Sequence, residues 1–312
     1  MSKSEKQRLE REEMEERGFV PNIERLLLAV DDSPNGRFAS RLAGLIAGAR
    51  GIQITVMPVG EGAERKVADN KNSSKTSDNE HAAKQAAADA ATDSKKSEPE
   101  QDHPVDVIVR KQDSPDSDAV AEEGRKGYDL LFIGLERTRT RSGRFHQDIE
   151  RIASGFEGPF AIVEARGNHR KQPEQSDIEV LVPVNGSEMA RRGAEIAIAI
   201  ARVLRAPLQA IYVSETAGKE RGSRKRSARS RWHEQAILKD IVVLADHQDQ
   251  TIKTAVRSTK AAEDAILSEV GHNENKLIVM GVGRPATEPL FFGEIAAAVA
   301  EKSPASILLV AS

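Results

Sequence analysis

Short apolar runs alternate with longer amphipathic stretches along the chain, and they do so twice. The segment Ile23 to Val59 aligns without gaps on Asp177 to Val213. Within it, Leu26-Leu27-Leu28-Ala29-Val30-Asp31-Asp32-Ser33 falls on Val180-Leu181-Val182-Pro183-Val184-Asn185-Gly186-Ser187. An apolar run of this length, stopped by polar turn residues, predicts a strand buried on both faces. The Ser ending each turn is placed to cap a helix. Ser33 predicts one running to about Ala49, and Ser187 one running to about Leu204. Both are apolar around most of their circumference, so each is expected to pack against a sheet. Ile52 to Val59 and Leu208 to Val213 follow as second strands.

The ends of the two halves match as well. Tyr128 to Gly134 and Asn275 to Gly281 are apolar strands that stop at a Gly. Helical patterns follow at about Gln147 to Ser154 and Glu294 to Lys302. Pro-led strands then close each half, Pro159 to Val163 and Pro304 to Val310. Between these blocks Val105 to Arg110 and Thr251 to Arg257 read as strands, and Ala119 to Lys126 and Ala261 to Val270 as helices. Only the second helix of the first half lacks a clear pattern. Strict alternation of strand and helix predicts the α/β class: in each half, a parallel sheet with right-handed crossovers and helices on both faces.

Three segments fall outside the repeat. Residues 1–18 hold a polar connector helix at Ser4 to Arg17, with i,i+4 ion pairs and Gly18 to end it. The first domain spans 19–166. Its insert at about 61–103 has almost no large apolar residue and is predicted not to fold stably, although its Ala-rich part, His81 to Thr92, is a candidate second helix. Residues 167–176 read as a polar linker, and the second domain spans 177–312. Its loop at about 214–230 carries Lys219, Arg221, Arg224, Lys225, Arg226 and Arg229, with Arg231 just beyond, against one acid, Glu220. Trp232 recurs near helical spacing with Ile237, Ile241 and Leu244, which places it at a core edge.

Composition narrows the chemistry. Lys plus Arg total 46 against 49 for Asp plus Glu, a net charge of −3, so no domain-wide basic field marks a nucleic-acid binder. The chain has no Cys, which excludes disulfides, thiol nucleophiles and Cys-based metal sites, and fits a reducing, cytoplasmic setting. No run approaches the ~20 apolar residues that span a bilayer, and Met1 to Arg17 lacks the apolar core of a secretory signal.

The residues now carry a resemblance. Val30-Asp31-Asp32-Ser33, its copy Val184-Asn185-Gly186-Ser187, and the Gly-ended fourth strand before a helix and a Pro-led last strand resemble the universal stress protein family. The resemblance runs from about Asn22 to Ser312, the inserts excepted. It implies two tandem Rossmann-like domains of the adenine nucleotide alpha hydrolase type, each with strand order 3-2-1-4-5. The ligand crevice would lie at the switch point between strands 1 and 4. A narrower resemblance joins it. Arg11 to Val20, Ile23 to Gly36, Val279 to Arg284 and Leu290 to Ile295 look like the cytoplasmic tail of bacterial monovalent cation/proton antiporters. That resemblance implies a regulatory module at the inner face of the cell membrane, joined to an antiporter membrane domain by the Ser4 to Arg17 helix.

The nucleotide-binding members of the family carry Gly-x-x-Gly, nine residues, then Gly-Ser/Thr after strand 4, with an Asp after strand 1. Glycines allow close backbone approach to phosphates, and hydroxyl and amide donors at a helix start hold them. By that resemblance the first-half candidates are Val30, Asp31, Ser33, Gly134 and Arg137. Arg137 replaces the second Gly, Gln147 and Asp148 stand at the third position, and only the charge of Arg137, Arg139, Arg141 and Arg144 would attract an anion. The second-half candidates are Val184, Asn185, Ser187, Gly281, Gly283, Arg284, Gly293 and Glu294. Asn185 replaces the Asp, Gly293 comes one residue early, and Glu294 replaces the Ser/Thr, in a position to cap the helix where a phosphate would sit. ATP or AMP is the ligand class implied. A solvated basic loop is the competing reading in the first half, and a structural helix cap at Glu294 in the second.

Other chemistry finds little support in the sequence. Gly281-Val282-Gly283-Arg284-Pro285-Ala286 fits a dinucleotide fingerprint but follows the wrong strand, and no P-loop is present. The seven His residues make no metal spacing, and His146 with Asp148 reads as helix capping. Neither Ser33 nor Ser187 sits in a nucleophile elbow. The expectation is therefore a non-catalytic, ligand-sensing module. The alternative is a free-standing tandem stress protein that binds ATP or another adenine nucleotide in the stress response. The apolar edge of Ile307 to Val310 predicts a homodimer through the last strands.

Overall fold

The computed structural model describes residues 18–60, 84–92, 105–109, 117–215, 228–259, 261–284 and 290–312. After a 3-10 turn at Val20–Asn22, the first half runs β1 (Arg25–Val30), α1 (Pro34–Gly48), β2 (Gln53–Pro58), α2 (84–92), β3 (Val107–Val109), α3 (Ser117–Gly124), β4 (Leu130–Gly134), α4 (Gln147–Gly155) and β5 (Phe160–Glu164). A short helix, α5 (Gly167–Lys171), joins the halves. The second half runs β6 (Glu179–Val184), α6 (Glu188–Leu204), β7 (Leu208–Glu215), α7 (Ala228–Asp246), β8 (Lys253–Thr259), α8 (Ala262–Val270), β9 (Lys276–Val282), α9 (Glu294–Lys302) and β10 (Ser306–Ala311). Both expected caps form: Ser33 Oγ accepts from Gly36 N at 3.1 Å, and Ser187 Oγ from Ala190 N at 3.2 Å.

All ten strands make one sheet, in the order β3-β2-β1-β4-β5-β10-β9-β6-β7-β8. Each half therefore has the expected 3-2-1-4-5 order, and every pairing within a half is parallel. The halves join where β5 and β10 pair antiparallel, from Ile307 opposite Glu164 to Ala311 opposite Phe160. The last strands, through which a homodimer was expected, thus pair with each other within the chain. The edge of β10 did need cover, but β5 of the same chain supplies it, and β9 takes the other side.

Strand residues alternate between two cores, one on each face of the sheet. Leu26, Leu28 and Val30 face a core shared with Phe38 of α1, Ile196 of α6 and Ile237 of α7. Leu27 and Ala29 face the other, with Ile149 of α4, Ile266 of α8 and Val299 of α9. Both cores run through both halves. Two arginines brace the seam reciprocally. Arg166, just after β5, donates to Ala300 O and Ser303 O at the C-terminal end of α9. Arg284, just after β9, donates to Ala153 O near the end of α4 at 2.9 Å. Each cation thus satisfies carbonyls that a helix end leaves free, and sits at the negative end of the other half's last helix.

Three expectations change. The polar linker at 167–176 is packed structure: His169 is fully buried, stacks on Phe38 at 4.6 Å, and bonds Ser306 Oγ and Asp177 O. The Ala-rich part of the insert is a packed helix, because Ala86, Ala87, Ala90 and Ala91 are buried and Gly44 of α1 lets the two backbones meet. Trp232 is not a core edge. It is 71% exposed, while Ile237 and Ile241 on the same helix are buried. The connector at Ser4 to Arg17, most of the remaining insert and most of the basic loop lie outside the described residues.

Candidate functional site

The two switch points, expected to be alike, differ. In the first half β1 and β4 pair along their whole length, from Leu26 opposite Leu130 to Val30 opposite Gly134. Asp31 N then continues the ladder to Gly134 O. The Asp31 carboxylate is turned into its own loop, where it accepts from Ser33 N, Ser33 Oγ and Glu136 N. Burial raises its pKa, against the lowering effect of those hydrogen bonds. Val30 O accepts from Val59 N. Asn35 ties the next loop down, donating to Leu135 O and Thr138 Oγ1 and accepting from Ala165 N. What remains is a cavity of about 40 Å³ between Asp31, Val59, Gly60, Leu135, Glu136, Arg137 and Asp148. On this measure a water needs about 10–15 Å³, so the crevice has room for a few waters and not for a metabolite. Of the four arginines expected to attract an anion, Arg139 is paired with Glu164 at 2.6 Å, and Arg137, Arg141 and Arg144 face solvent. His146 is the N-cap of α4, as its position suggested.

In the second half the ladder stops early. β6 pairs β9 from Glu179 to Leu181, and the last three residues of β6 make no pair with it. The cause lies in the sequence. Glu179 N points toward β9, donating to Asn275 O, whereas Val180 N points toward β7, donating to Pro207 O. Residue 183 shares the parity of Glu179, so its N–H would continue the β9 ladder. Proline has no N–H. The first-half counterpart is Ala29, which pairs with Ile133. Beyond Pro183 β6 makes no further ladder pair with β9, and a cavity of about 560 Å³ lies at the carboxyl ends of the two strands.

That cavity collects most of the second-half candidates. Val184, Asn185, Ser187, Gly281, Gly283, Gly293 and Glu294 all line it. Arg284 does not, being spent on α4 across the seam with its guanidinium 5.5 Å from the Phe160 ring. Gly281 serves packing. A Cβ there would overlap the Met189 carbonyl oxygen, so the glycine is what lets α6 lie against β9. Gly134 does the same under Asn35 and Ala39 of α1. Gly283 is open by comparison, its nearest neighbour being Met189 Cε at 3.6 Å. Glu294 is the first residue of α9 and Gly293 its N-cap, so Glu294 favours the helix dipole without capping a backbone N–H. The rest of the lining includes Met189, Tyr212, Ile266, Met280 and Phe292. Sequence reasoning missed these, because nothing marks which core-like residues will line the mouth of the crevice. Pro183 inside a predicted strand was the available signal.

Both the volume and the place are those of a small-molecule site in a doubly wound fold, about 300–1,000 Å³ at the carboxyl ends of the strands beside a switch point. The structure is thus a tandem α/β protein with one sealed and one open crevice. Residues 22–163 and 179–311 match the universal stress protein family. The chain belongs to that family, with two domains in tandem. Among solved structures, a universal stress protein from Archaeoglobus fulgidus DSM 4304 is similar at a TM-score of 0.54 and 16% identity, over 92% of this chain and 98% of that one. The functionally unknown protein PA1789 from Pseudomonas aeruginosa PAO1 is similar at a TM-score of 0.50 and 16% identity, over 94% of each chain. The universal stress protein from Archaeoglobus fulgidus in complex with dAMP covers 44% of this chain at a TM-score of 0.33, too low for its ligand to bear on this one. Identities this low speak for the fold alone. No curated protein sequence matches the chain. Among the described residues no helix is long and apolar enough to cross a membrane.

Proposed function

We propose that the chain is a ligand-sensing regulatory module without catalytic chemistry, and that its second half alone takes the ligand. The observation that carries this is the contrast between the crevices: about 560 Å³ where Pro183 interrupts the sheet, and about 40 Å³ where Asp31 closes on itself. The first half then serves as scaffold. A continuous sheet and the Arg166 and Arg284 braces hold it against the second, so the signal does not travel by the halves sliding. Helix α6 offers a shorter route. Ser187, Met189 and Ala190 at its start wall the cavity. Further along, Glu195 holds Phe19 and Val20, the residues that lead out of the N-terminal segment. A ligand that favours one position of α6 shifts that segment to the same degree.

The test is ligand-observed NMR with a library of metabolite-sized molecules, run on the chain and on Gly283→Trp. The indole would fill the cavity from a position with room for a side chain. Hits on the natural chain that vanish in the variant are expected. Binding that survives in Gly283→Trp removes the cavity from consideration.

A second reading adds a partner. The resemblance of residues 11–20, 23–36, 279–284 and 290–295 to antiporter tails supports a module that serves a cation/proton antiporter on the cytoplasmic side of the membrane. Transport measured with and without residues 1–17 tests it. Unchanged regulation after the deletion sinks this reading and leaves the ligand site standing. The rival, a free-standing ATP- or AMP-binding stress protein, predicts saturable calorimetric titration with Mg-ATP or AMP.

A further inference from the structure

Deepening that reading, and resting on it, the charge around the open crevice points to a class of ligand. Two helices begin at its rim, α6 and α9, and a helix start is ordinarily a place for an anion. Here both starts carry their own carboxylate. Glu188 is the first residue of α6 and pairs with Arg192 at 2.5 Å. Glu294 is the first residue of α9, lines the cavity, and has no ion-pair partner among the described residues. Among the described residues it is also the single formally charged one in the lining. Arg284, the cation next to the glycine turn, donates to Ala153 O of α4 and is not part of the lining.

The remaining walls are apolar or neutral. Met189, Ile266, Met280 and Phe292 supply the apolar surface. Polar handles sit among them: Asn185 Oδ1 accepts from Ser187 N at 3.0 Å while its Nδ2 has no hydrogen-bond partner among the described residues, nor has the Tyr212 hydroxyl, and Ser187 Oγ accepts from Ala190 N while its own proton stays available. An anion placed here meets a carboxylate with no compensating cation in the lining among the described residues. A cation meets an unspent carboxylate and a helix start that the same carboxylate already neutralises.

We propose that the second-half crevice binds an organic amine, with its ammonium group at Glu294 and its apolar body against Met189, Met280 and Phe292, and that it rejects phosphorylated and carboxylated ligands. Glu294 is the specificity residue and Pro183 the residue that opens the site.

The experiment uses three molecules with one body and different charge: tryptamine, tryptophol and indole-3-acetate. Each is titrated calorimetrically into the full chain, so that residues 216–227 and their basic side chains are in place. Tryptamine is expected to bind at least about fivefold more tightly than tryptophol, the factor one charge pair at ~4 Å contributes even in water. Indole-3-acetate and AMP are expected not to bind. In Glu294→Gln the preference for the amine over the alcohol should disappear while the alcohol still binds. Indole-3-acetate or AMP binding as well as tryptamine overturns the amine class and leaves the ligand-site reading intact. A preference for the amine that persists in Glu294→Gln overturns the role of Glu294. No binding by any of the three, with Gly283→Trp equally silent, overturns the class and counts against the ligand site as well.

Discussion

Glu195 ties the start of the described chain to the second half, and removing it gives the sharpest test of how the module is held together. Its side chain is 3% exposed in the middle of α6. The carboxylate accepts the N–H groups of Phe19 and Val20, the latter at 3.1 Å, with Arg191 Nε 3.7 Å away. Gly18 lies against it with φ +87°, where a Cβ would collide with the carboxylate. Glu195→Ala leaves two backbone donors without an acceptor, and Val20 is itself only 2% exposed. An orphaned buried donor costs about 1–3 kcal/mol. Relief from burying a charge offsets part of the sum, which leaves a loss of about 2–4 kcal/mol. Urea unfolding measures it, and hydrogen exchange at Phe19 and Val20 locates it. An alanine variant within about 0.5 kcal/mol of the natural chain, with those two amides still protected, would refute the reasoning.

The glutamine variant separates charge from hydrogen bonding. Glu195→Gln keeps an acceptor oxygen and loses the charge. Burial raises the pKa of Glu195 above its ordinary 4.5, against the lowering effect of the two N–H groups and the nearby arginines. A group with a raised folded pKa contributes stability that is full below the unfolded pKa and is lost as pH rises through the folded one. The natural chain therefore carries a cost at pH 7 that the glutamine lacks. Glu195→Gln is expected to be at least as stable at pH 7, and its advantage to shrink as pH falls toward 4.5.

Four further outcomes are expected. His169, whose pKa burial lowers from 6.5 to about 4, contributes stability above pH 6.5 that is lost as pH falls toward 4, about 3 kcal/mol in all, and His169→Gln should flatten that slope in urea titrations. Gly281→Ala should cost about 2–3 kcal/mol, because α6 must move off β9, while Gly283→Ala stays within about 0.5 kcal/mol; thermal unfolding of both checks the contrast. Arg284→Ala should cost about 1–2 kcal/mol by freeing carbonyls at the end of α4, without weakening any ligand in the open crevice, as calorimetry would show. Pro183→Ala should restore a ladder N–H, seen as a newly protected amide at 183, and weaken ligand binding; stability should change by less than about 1 kcal/mol, since the new hydrogen bond and the freer unfolded chain oppose each other.

What the sequence made legible was whatever depends on local pattern. Apolar runs ending at Ser33 and Ser187 set the strands, the caps and the strand order of each half, because burial on both faces and a helix start leave few alternatives. Relations between distant segments were less legible. Nothing in residues 167–176 announces that His169 will stack on Phe38, and the Ala-rich helix is held by a glycine about forty residues earlier, Gly44. The pairing of β5 with β10 followed the same rule. An apolar edge was visible, but its partner was not. At the candidate site, comparison of glycine positions directed attention to phosphate contacts, whereas Gly134 and Gly281 are explained by helix packing against the sheet. The residue that distinguishes the two crevices was already in the first aligned block, Pro183 opposite Ala29. Its effect depends on which neighbour the missing N–H would have faced, and only the direction of Glu179 N toward β9 reveals that. Two halves with the same strand order thus differ by one backbone hydrogen at their switch points, where the ladder runs on in the first half and stops in the second.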